Sequence, residues 1–373
     1  MAAVAVLVVT CPCALSLATP TAMLTTAGAL ARRGVLVRRM QAIESLASID
    51  TVIFDKTGTL TEAAIGLRAV HVRARGTHTV TQTVTQAQAL QIAASLAQHS
   101  LHPVSRALVS AASSAELVSV VNAKALPGLG LEGELAHPVA FDCAGLLRLG
   151  SARFCDVDGL LESPSGDSIQ VYLADGKGWL ARFDLDEMIR PDAGKTVAAL
   201  RAMGVAVQVL SGDRELAAGR VAHLLGVNDV QGDCTPQTKL AHLQHLQQQG
   251  HKVMMVGDGL NDGPVLAGAD VSIAVGQAMP LAQARCDFVM PGGQLILLPV
   301  MLRQAKRTMQ VVRQNLWWAA SYNAVCVPLA LAGWLPAWLA GLGMALSSLL
   351  VIANAARLAT SPVPPEPLNA GPL

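Results

Sequence analysis

Charge is scarce in this 373-residue chain: Asp, Glu, Lys and Arg together make up 14% of it, and aromatic residues 3%. The scarcity is uneven. Residues 1–31 contain no Asp, Glu, Lys or Arg, and neither do residues 314–356, whereas an ordinary soluble domain is roughly a quarter charged throughout. A net charge of +1, with no basic face, argues against a nucleic-acid partner. The seven cysteines lack the paired spacing of a secreted disulfide framework, so they are expected as thiols in a reducing compartment. No internal repeat is present. The leading stretch has no basic n-region and continues past any plausible cleavage site, which excludes a secretory signal peptide.

The charge-free stretches are apolar enough to matter. A bilayer span takes roughly 20 such residues, so residues 1–31 are expected to hold one transmembrane helix. Residues 301–358 are expected to hold a helix pair turning near Gly333-Trp334-Leu335-Pro336. Arg32, Arg33, Arg38 and Arg39 follow the first span; Arg303, Lys306, Arg307 and Arg313 precede the second; Arg357 closes the third. Positive flanks favour the cytoplasm, and one orientation satisfies all three clusters, with residues 32–313 inside. The expected partner is the lipid bilayer, crossed by about three helices.

The cytoplasmic part reads as one α/β domain with another inserted into it. Thr51-Val52-Ile53-Phe54, Val205–Leu210 and Val253–Val256 are apolar runs, each leading into an Asp-containing turn. Helical patterns over Arg190–Met203 and Thr238–Gln249 separate them, as a doubly wound parallel sheet requires. Residues 32–66 and 185–300 are assigned to this domain and residues 67–184, rich in Ala, Ser, Thr and Gln, to an inserted α+β domain able to bury its own core. The Pro-rich tail, 359–373, is expected to be disordered.

The chemistry-bearing feature is Asp55-Lys56-Thr57-Gly58-Thr59-Leu60-Thr61. Asp55 follows an apolar run, at the carboxyl end of a strand, where open α/β sheets place ligands. A carboxylate there can attack the γ-phosphoryl of ATP and form an aspartyl-phosphate. The heptapeptide resembles that of the P-type ATPases, which have a haloacid-dehalogenase-like core. The resemblance implies Asp55 as nucleophile with Lys56 and Thr57 beside it, and Ser211 of Ser211-Gly212-Asp213 bonding the transferring phosphoryl. It implies Lys239 in Thr235-Pro236-Gln237-Thr238-Lys239 as the neutralising cation. Mg²⁺ is implied at Asp55, Thr57, Asp258 and Asp262, with Asn261 and Asp262 supporting the Asp258 loop. These parts suit phosphoryl transfer, which is mainly positioning and charge neutralisation. In the insertion, His102-Pro103 and Gly128-X-Gly130 resemble the pair that holds ATP in heavy-metal P-type ATPases. Many members carry Glu before that His; Leu101 stands here.

Cys11-Pro12-Cys13 lies mid-span, a costly place for thiols. Pro12 removes a backbone donor and kinks a helix, letting both sulfurs face one cavity, and thiolates select soft metals. The later charge-free stretch adds only neutral groups: Tyr322-Asn323, and Met344 with Ser347-Ser348. Together these residues resemble the signature of copper-pumping members. The resemblance thus implies Cu(I), or Ag(I), at Cys11, Cys13, Tyr322, Asn323, Met344 and Ser348, delivered by a cytoplasmic copper chaperone at a bacterial cytoplasmic (inner) membrane. The subgroup serving cytochrome oxidase assembly is the nearest in character. A complete pump also has an actuator domain with Thr-Gly-Glu, which occurs nowhere here. The expectation is therefore a carboxyl-terminal portion requiring an amino-terminal half; the alternatives are a membrane-tethered phosphatase on the same core or a non-transporting metal-binding remnant.

Overall fold

The computed structural model describes residues 13–73, 84–112, 116–136, 143, 145–157, 169–258, 263–276 and 286–360. The chain forms two compact units, Met1–Leu60 with Pro191–Leu373, and Thr61–Arg190. The first opens with α1 (Cys13–Ala31), β1 (Leu36–Val37), α2 (Ala42–Ala47) and β2 (Thr51–Asp55). The second contains β3 (Thr61–Val72), α3 (Gln86–Ala97), α4 (Pro103–Ala111), β4 (Val120–Leu126), β5 (Gly130–Leu135), β6 (Leu147–Gly150), β7 (Ile169–Asp175) and β8 (Gly178–Ile189). The first then resumes with α5 (Ala193–Ala202), β9 (Ala206–Leu210), α6 (Glu215–Leu224), β10 (Asp229–Gln231), α7 (Pro236–Gln248) and β11 (Val253–Gly257). It ends with α8 (Gly263–Gly268), β12 (Val271–Val275), β13 (Phe288–Met290), α9 (Leu297–Leu331) and α10 (Ala337–Ala356).

The sheet of the first unit runs β1-β13-β12-β11-β2-β9-β10, parallel throughout except for β1 on β13. Every residue of β2, β11 and β12 is buried. A parallel strand covered on both faces has no polar face to alternate with, so it reads as an unbroken apolar run.

The second unit is a six-stranded antiparallel sheet, β3-β8-β7-β6-β5-β4. Ile92, Leu96 and Leu108 of α3 and α4 pack with Leu147, Leu173 and Phe183 in its core. A capping box between Thr85 and Gln88 starts α3 by satisfying its first backbone donors. The strands that lead in and out, β3 and β8, pair with each other from Thr61↔Ile189 to Val72↔Ala181. The unit therefore begins earlier and ends later than the 67–184 range read from composition. Each of these strands is 12 residues long, and their outer ends carry mixed polar residues that give no compositional step.

Within the first unit α1 packs on α9 and α10, joined to α9 by a buried 2.7 Å hydrogen bond between the Thr26 and Thr308 hydroxyls. Among the described residues one helix, α10, is long and apolar enough to cross a membrane. Helix α9 is a single 35-residue helix that passes through the expected span start at residue 314 without a break. Its charge-free part includes Gln314, Asn315, Tyr322 and Asn323, which lower its apolarity. A turn with Gly333 at φ +77° separates it from α10. Residues 1–12, which contain the first part of the expected leading span, and 361–373 of the tail lie outside the described residues.

Candidate active site and nucleotide pocket

Asp55 is the last residue of β2, between β9 on one side and β11 on the other. Asp55 pairs with Leu210, and Phe54 with Val256, so the turns holding Ser211 and Asp258 begin on either side of it. Asp55 is 8% exposed, and its Oδ1 accepts a 2.6 Å hydrogen bond from Lys239 Nζ, itself 4% exposed. Lys239 reaches it from the first turn of α7, which Thr235 caps by accepting from Thr238 N, with Pro236 at the first helical position. A buried carboxylate and a buried ammonium are each costly alone and tolerable as a hydrogen-bonded pair.

A second cluster centres on Asp213. Its Oδ2 accepts from Lys56 Nζ at 2.9 Å, Ser211 Oγ at 2.8 Å and Thr57 Oγ1 at 3.0 Å. Partial burial alone would push the Asp213 carboxyl up, but the Lys56 ammonium, with Ser211 and Thr57 donating, holds it below the usual carboxylate value. Asp213 N also donates to Ser211 Oγ at 3.1 Å. Gly212 follows Ser211 in the same turn, where Cys234 N donates to Ser211 O at 2.9 Å. In this structure the hydroxyls of Ser211 and Thr57 are thus both committed to Asp213, which spacing alone did not reveal.

Gly58 has two reasons to be glycine. Its φ is +69°, and a Cβ there would lie 2.7 Å from Asp258 Oδ2. That close approach brings the Asp258 carboxylate against the Asp55 loop. Hard carboxylate oxygens on adjacent strand ends, around a cradle kept open by a missing side chain, fit Mg²⁺, which is held by one or two carboxylates plus water and phosphate oxygens. Asn261 and Asp262 lie outside the described residues.

The second unit has its own cavity of about 420 Å³, lined by residues that include His102, Gly128, Gly130, Ser105, Ser151 and Gln170. His102 is the N-cap of α4: its Nδ1 accepts from Val104 N at 3.3 Å, and Pro103 takes the first helical position. An accepting Nδ1 leaves Nε2 carrying the hydrogen. Gly128 has φ +75°, and a Cβ on Gly130 would clash with Leu149 O. Leu101 is 89% exposed. Ser105, Ser151 and Gln170 were not foreseen; Tyr172 Oη donates to Gln170 Oε1 at 2.8 Å. Only the polar-apolar alternation of β7 hints at Gln170 in the sequence.

In the helices, the Tyr322 hydroxyl reaches α10 at Gly343, where a Cβ would lie 2.8 Å away, next to Met344. Asn323 lies on α9 and Ser348 on α10; Asn323 is partly buried. Cys13 begins α1; Cys11 and Pro12 lie outside the described residues.

The comparisons agree with this architecture. A haloacid dehalogenase-like hydrolase family model matches residues 49–270. The nitrogen fixation protein FixI of Rhizobium leguminosarum bv. viciae is 38% identical over 359 residues, 96% of this chain and 44% of the relative. A copper-exporting P-type ATPase of Staphylococcus aureus (strain USA300 / TCH1516) is 35% identical over 370 residues, again 96% of this chain and 44% of the relative. The chain thus spans less than half the length of these relatives. A crystal structure of a zinc-transporting PIB-type ATPase superposes with a TM-score of 0.80 at 30% identity, covering 94% of this chain and 56% of that one. With a family model spanning more than half of it, the chain belongs to the haloacid dehalogenase-like hydrolases, and over nearly its whole length it is homologous to P-type ATPases that transport metal cations.

Proposed function

We propose that this chain carries the phosphorylation and nucleotide-binding parts of an ATP-driven Cu(I) or Ag(I) exporter that works through an aspartyl-phosphate. The observation that carries the reading is the buried 2.6 Å contact between Lys239 Nζ and Asp55 Oδ1. An ammonium on the nucleophile's own oxygen balances the buried carboxylate, and it is placed to neutralise charge on an arriving phosphoryl group.

Asp55 attacks the γ-phosphorus of ATP; the new O–P bond forms as the bond to the β-phosphate oxygen breaks, and ADP leaves. Lys239 follows the charge from carboxylate to phosphoryl oxygens. Asp213 orients Lys56, Ser211 and Thr57, whose hydroxyls turn from Asp213 to the phosphoryl when it arrives. Asp55 and Asp258, joined by Asp262, would hold Mg²⁺, which supplies Lewis-acid neutralisation of phosphate charge. ATP occupies the cavity around His102, Gly128 and Gly130, with Ser105, Ser151 and Gln170 as its neutral polar contacts. Attack of water on the aspartyl-phosphate then releases phosphate and restores the carboxylate.

Copper is favoured over a divalent ion by the donor chemistry. Cys11, Cys13, Tyr322, Asn323, Met344 and Ser348 offer thiolate, thioether and neutral oxygen, a soft set with little negative charge. In this reading the protein works in a bacterial inner membrane, receives Cu(I) from a cytoplasmic chaperone and acts with an actuator-bearing amino-terminal half, in a cycle of the kind that serves cytochrome oxidase assembly.

The test is phosphoenzyme formation with γ-labelled ATP. Acid-stable, hydroxylamine-labile label is expected on the wild-type chain and none on Asp55→Asn, which is nearly isosteric but not nucleophilic. Label persisting on folded Asp55→Asn protein removes Asp55 from its role. Label that forms on Asp55 yet responds to neither Cu(I) nor Ag(I), with or without Cys11→Ser/Cys13→Ser, retains the kinase chemistry and removes the copper reading.

A further inference from the structure

Between Asp287 and Glu366 the chain has no acidic residue, yet it carries Arg303, Lys306, Arg307 and Arg313 on α9. None of these four cations makes a hydrogen bond or ion pair with a described residue. Lys306 and Arg307 follow Arg303 by three and four residues and Arg313 follows Lys306 by seven, so together with Gln310, Gln314 and Trp317 they share one side of the helix. Arg303, Arg307 and Arg313 are exposed, and the opposite side of α9, with Met301, Thr308, Val312 and Asn315, is buried.

At the end of this basic row lies a groove of about 520 Å³ formed by Gln310, Arg313, Gln314, Trp317, Trp318 and Ser321. Its floor is aromatic. Trp317 is 69% exposed, and Trp318 is 47% exposed although its Nε1 donates to Ser347 Oγ of α10 at 3.1 Å. The indole is therefore held in place with much of its surface outward. A cation with no internal counter-charge, side amides that can donate, and two outward tryptophans lie together where the charge-free stretch begins. Such a surface suits an occupant that is anionic at one end and apolar at the other. Tryptophan favours that interfacial depth, and Arg can lay its stem on apolar surface while its head reaches phosphate.

We propose that this face of α9 holds an anionic phospholipid, its headgroup phosphate on Arg313, Gln310 and Gln314 and its acyl chain along Trp317 and Trp318. The net negative charge matters because Arg303, Lys306 and Arg307 continue the positive field along the same side and no acid of the segment offsets it. A zwitterionic lipid brings its own cation into that field. The inference rests on the membrane-spanning reading of α9 and α10 given above.

The test uses the full chain in phosphatidylcholine vesicles containing a small fraction of either brominated phosphatidylglycerol or brominated phosphatidylcholine, with tryptophan quenching as the readout. Brominated phosphatidylglycerol is expected to quench more strongly at equal mole fraction. Arg313→Gln should lower its relative affinity about fivefold, the effect of one cation near a membrane surface, while Arg313→Lys keeps most of it. Equal quenching by the two lipids overturns the proposal, as does an unchanged preference in Arg313→Gln. Loss of the preference when an upstream half of the pump is supplied also overturns it, because another helix then owns this face. Flotation separates the two levels of the argument: a chain that fails to float with vesicles removes the membrane reading itself, whereas a floating chain without lipid preference removes only this site.

Discussion

The carboxyl ends of β2, β9 and β11 and the junction of α1, α9 and α10 are both buried and both polar, yet they are built from opposite materials. At the sheet, Asp55, Lys56 and Lys239 are 8%, 5% and 4% exposed, and each ammonium meets a carboxylate. At the helices, Gln304, Thr308 and Asn315 are 3%, 0% and 2% exposed, and their polar contacts are neutral. Gln304 Nε2 donates to Leu358 O at 3.2 Å, Asn315 Nδ2 to Val351 O at 3.3 Å, and Asn354 Nδ2 to Asn315 Oδ1 at 2.9 Å. The difference follows from what each place must tolerate. The proposed phosphoryl-transfer role requires the sheet site to change its charge, and a counter-ion kept in place suits that. A helix junction needs only directional register, which amides and hydroxyls supply without an ionic desolvation cost.

The comparison breaks most sharply at Lys239. Lys239→Met removes the ammonium that bonds Asp55 Oδ1 and is expected to destabilise the chain by about 3–5 kcal/mol, the usual cost of removing one partner of a buried pair. Adding Asp55→Asn should recover most of that loss, because neither charge then remains. Denaturant unfolding of the full chain in detergent measures both, and an uncorrected double variant would show that packing, not charge, was lost. Phosphoenzyme formation should fall on the order of a hundredfold or more in Lys239→Met.

The helix junction should show the reverse sensitivity. Asn315→Asp places an acceptor against the Val351 carbonyl and a charge at a neutral buried site, costing about 2.5–3.5 kcal/mol. Asn315→Leu removes the same hydrogen bonds without a charge and should cost only about 0.6–1.7 kcal/mol. Equal effects in unfolding titrations would mean that shape alone governs the junction.

The smallest expected effect lies at Asp213. Its folded carboxyl is held below the ordinary value of about 3.9, so its contribution is complete above that pH and is lost as pH falls through the lower folded value. Acid unfolding should therefore have a shallower low-pH limb in Asp213→Asn, and a limb of unchanged steepness would assign the acid sensitivity elsewhere.

Much of the parallel sheet was legible because fully covered parallel strands leave no choice but continuous apolar residues, and β2, β9 and β11 each stop where a turn with a candidate site residue begins. The same logic fails for the inserted unit. Its bounding strands mix Glu62, Arg68 and His71 with apolar residues, so their composition resembles the surrounding chain. Nor does spacing disclose that Asp213 accepts from three donors at once, since those partners come from two turns far apart in sequence. For α9, Arg313 marks the last charge before the apolar stretch, but backbone hydrogen bonding is indifferent to that change and the helix continues through it.

The order of synthesis gives the β3–β8 pairing another consequence. The strand bearing Asp55 is made before either of its sheet neighbours, Ala206–Leu210 and Val253–Gly257, which both come after the whole inserted unit. The inserted sheet is complete as soon as Gly178–Ile189 has paired with Thr61–Val72, so it can mature while β2 still has both edges bare. Closing the insert also brings Thr61 beside Ile189, shortening the effective loop that β2 must span to find β9. The inserted unit thereby works as a staple for the assembly of the sheet it interrupts.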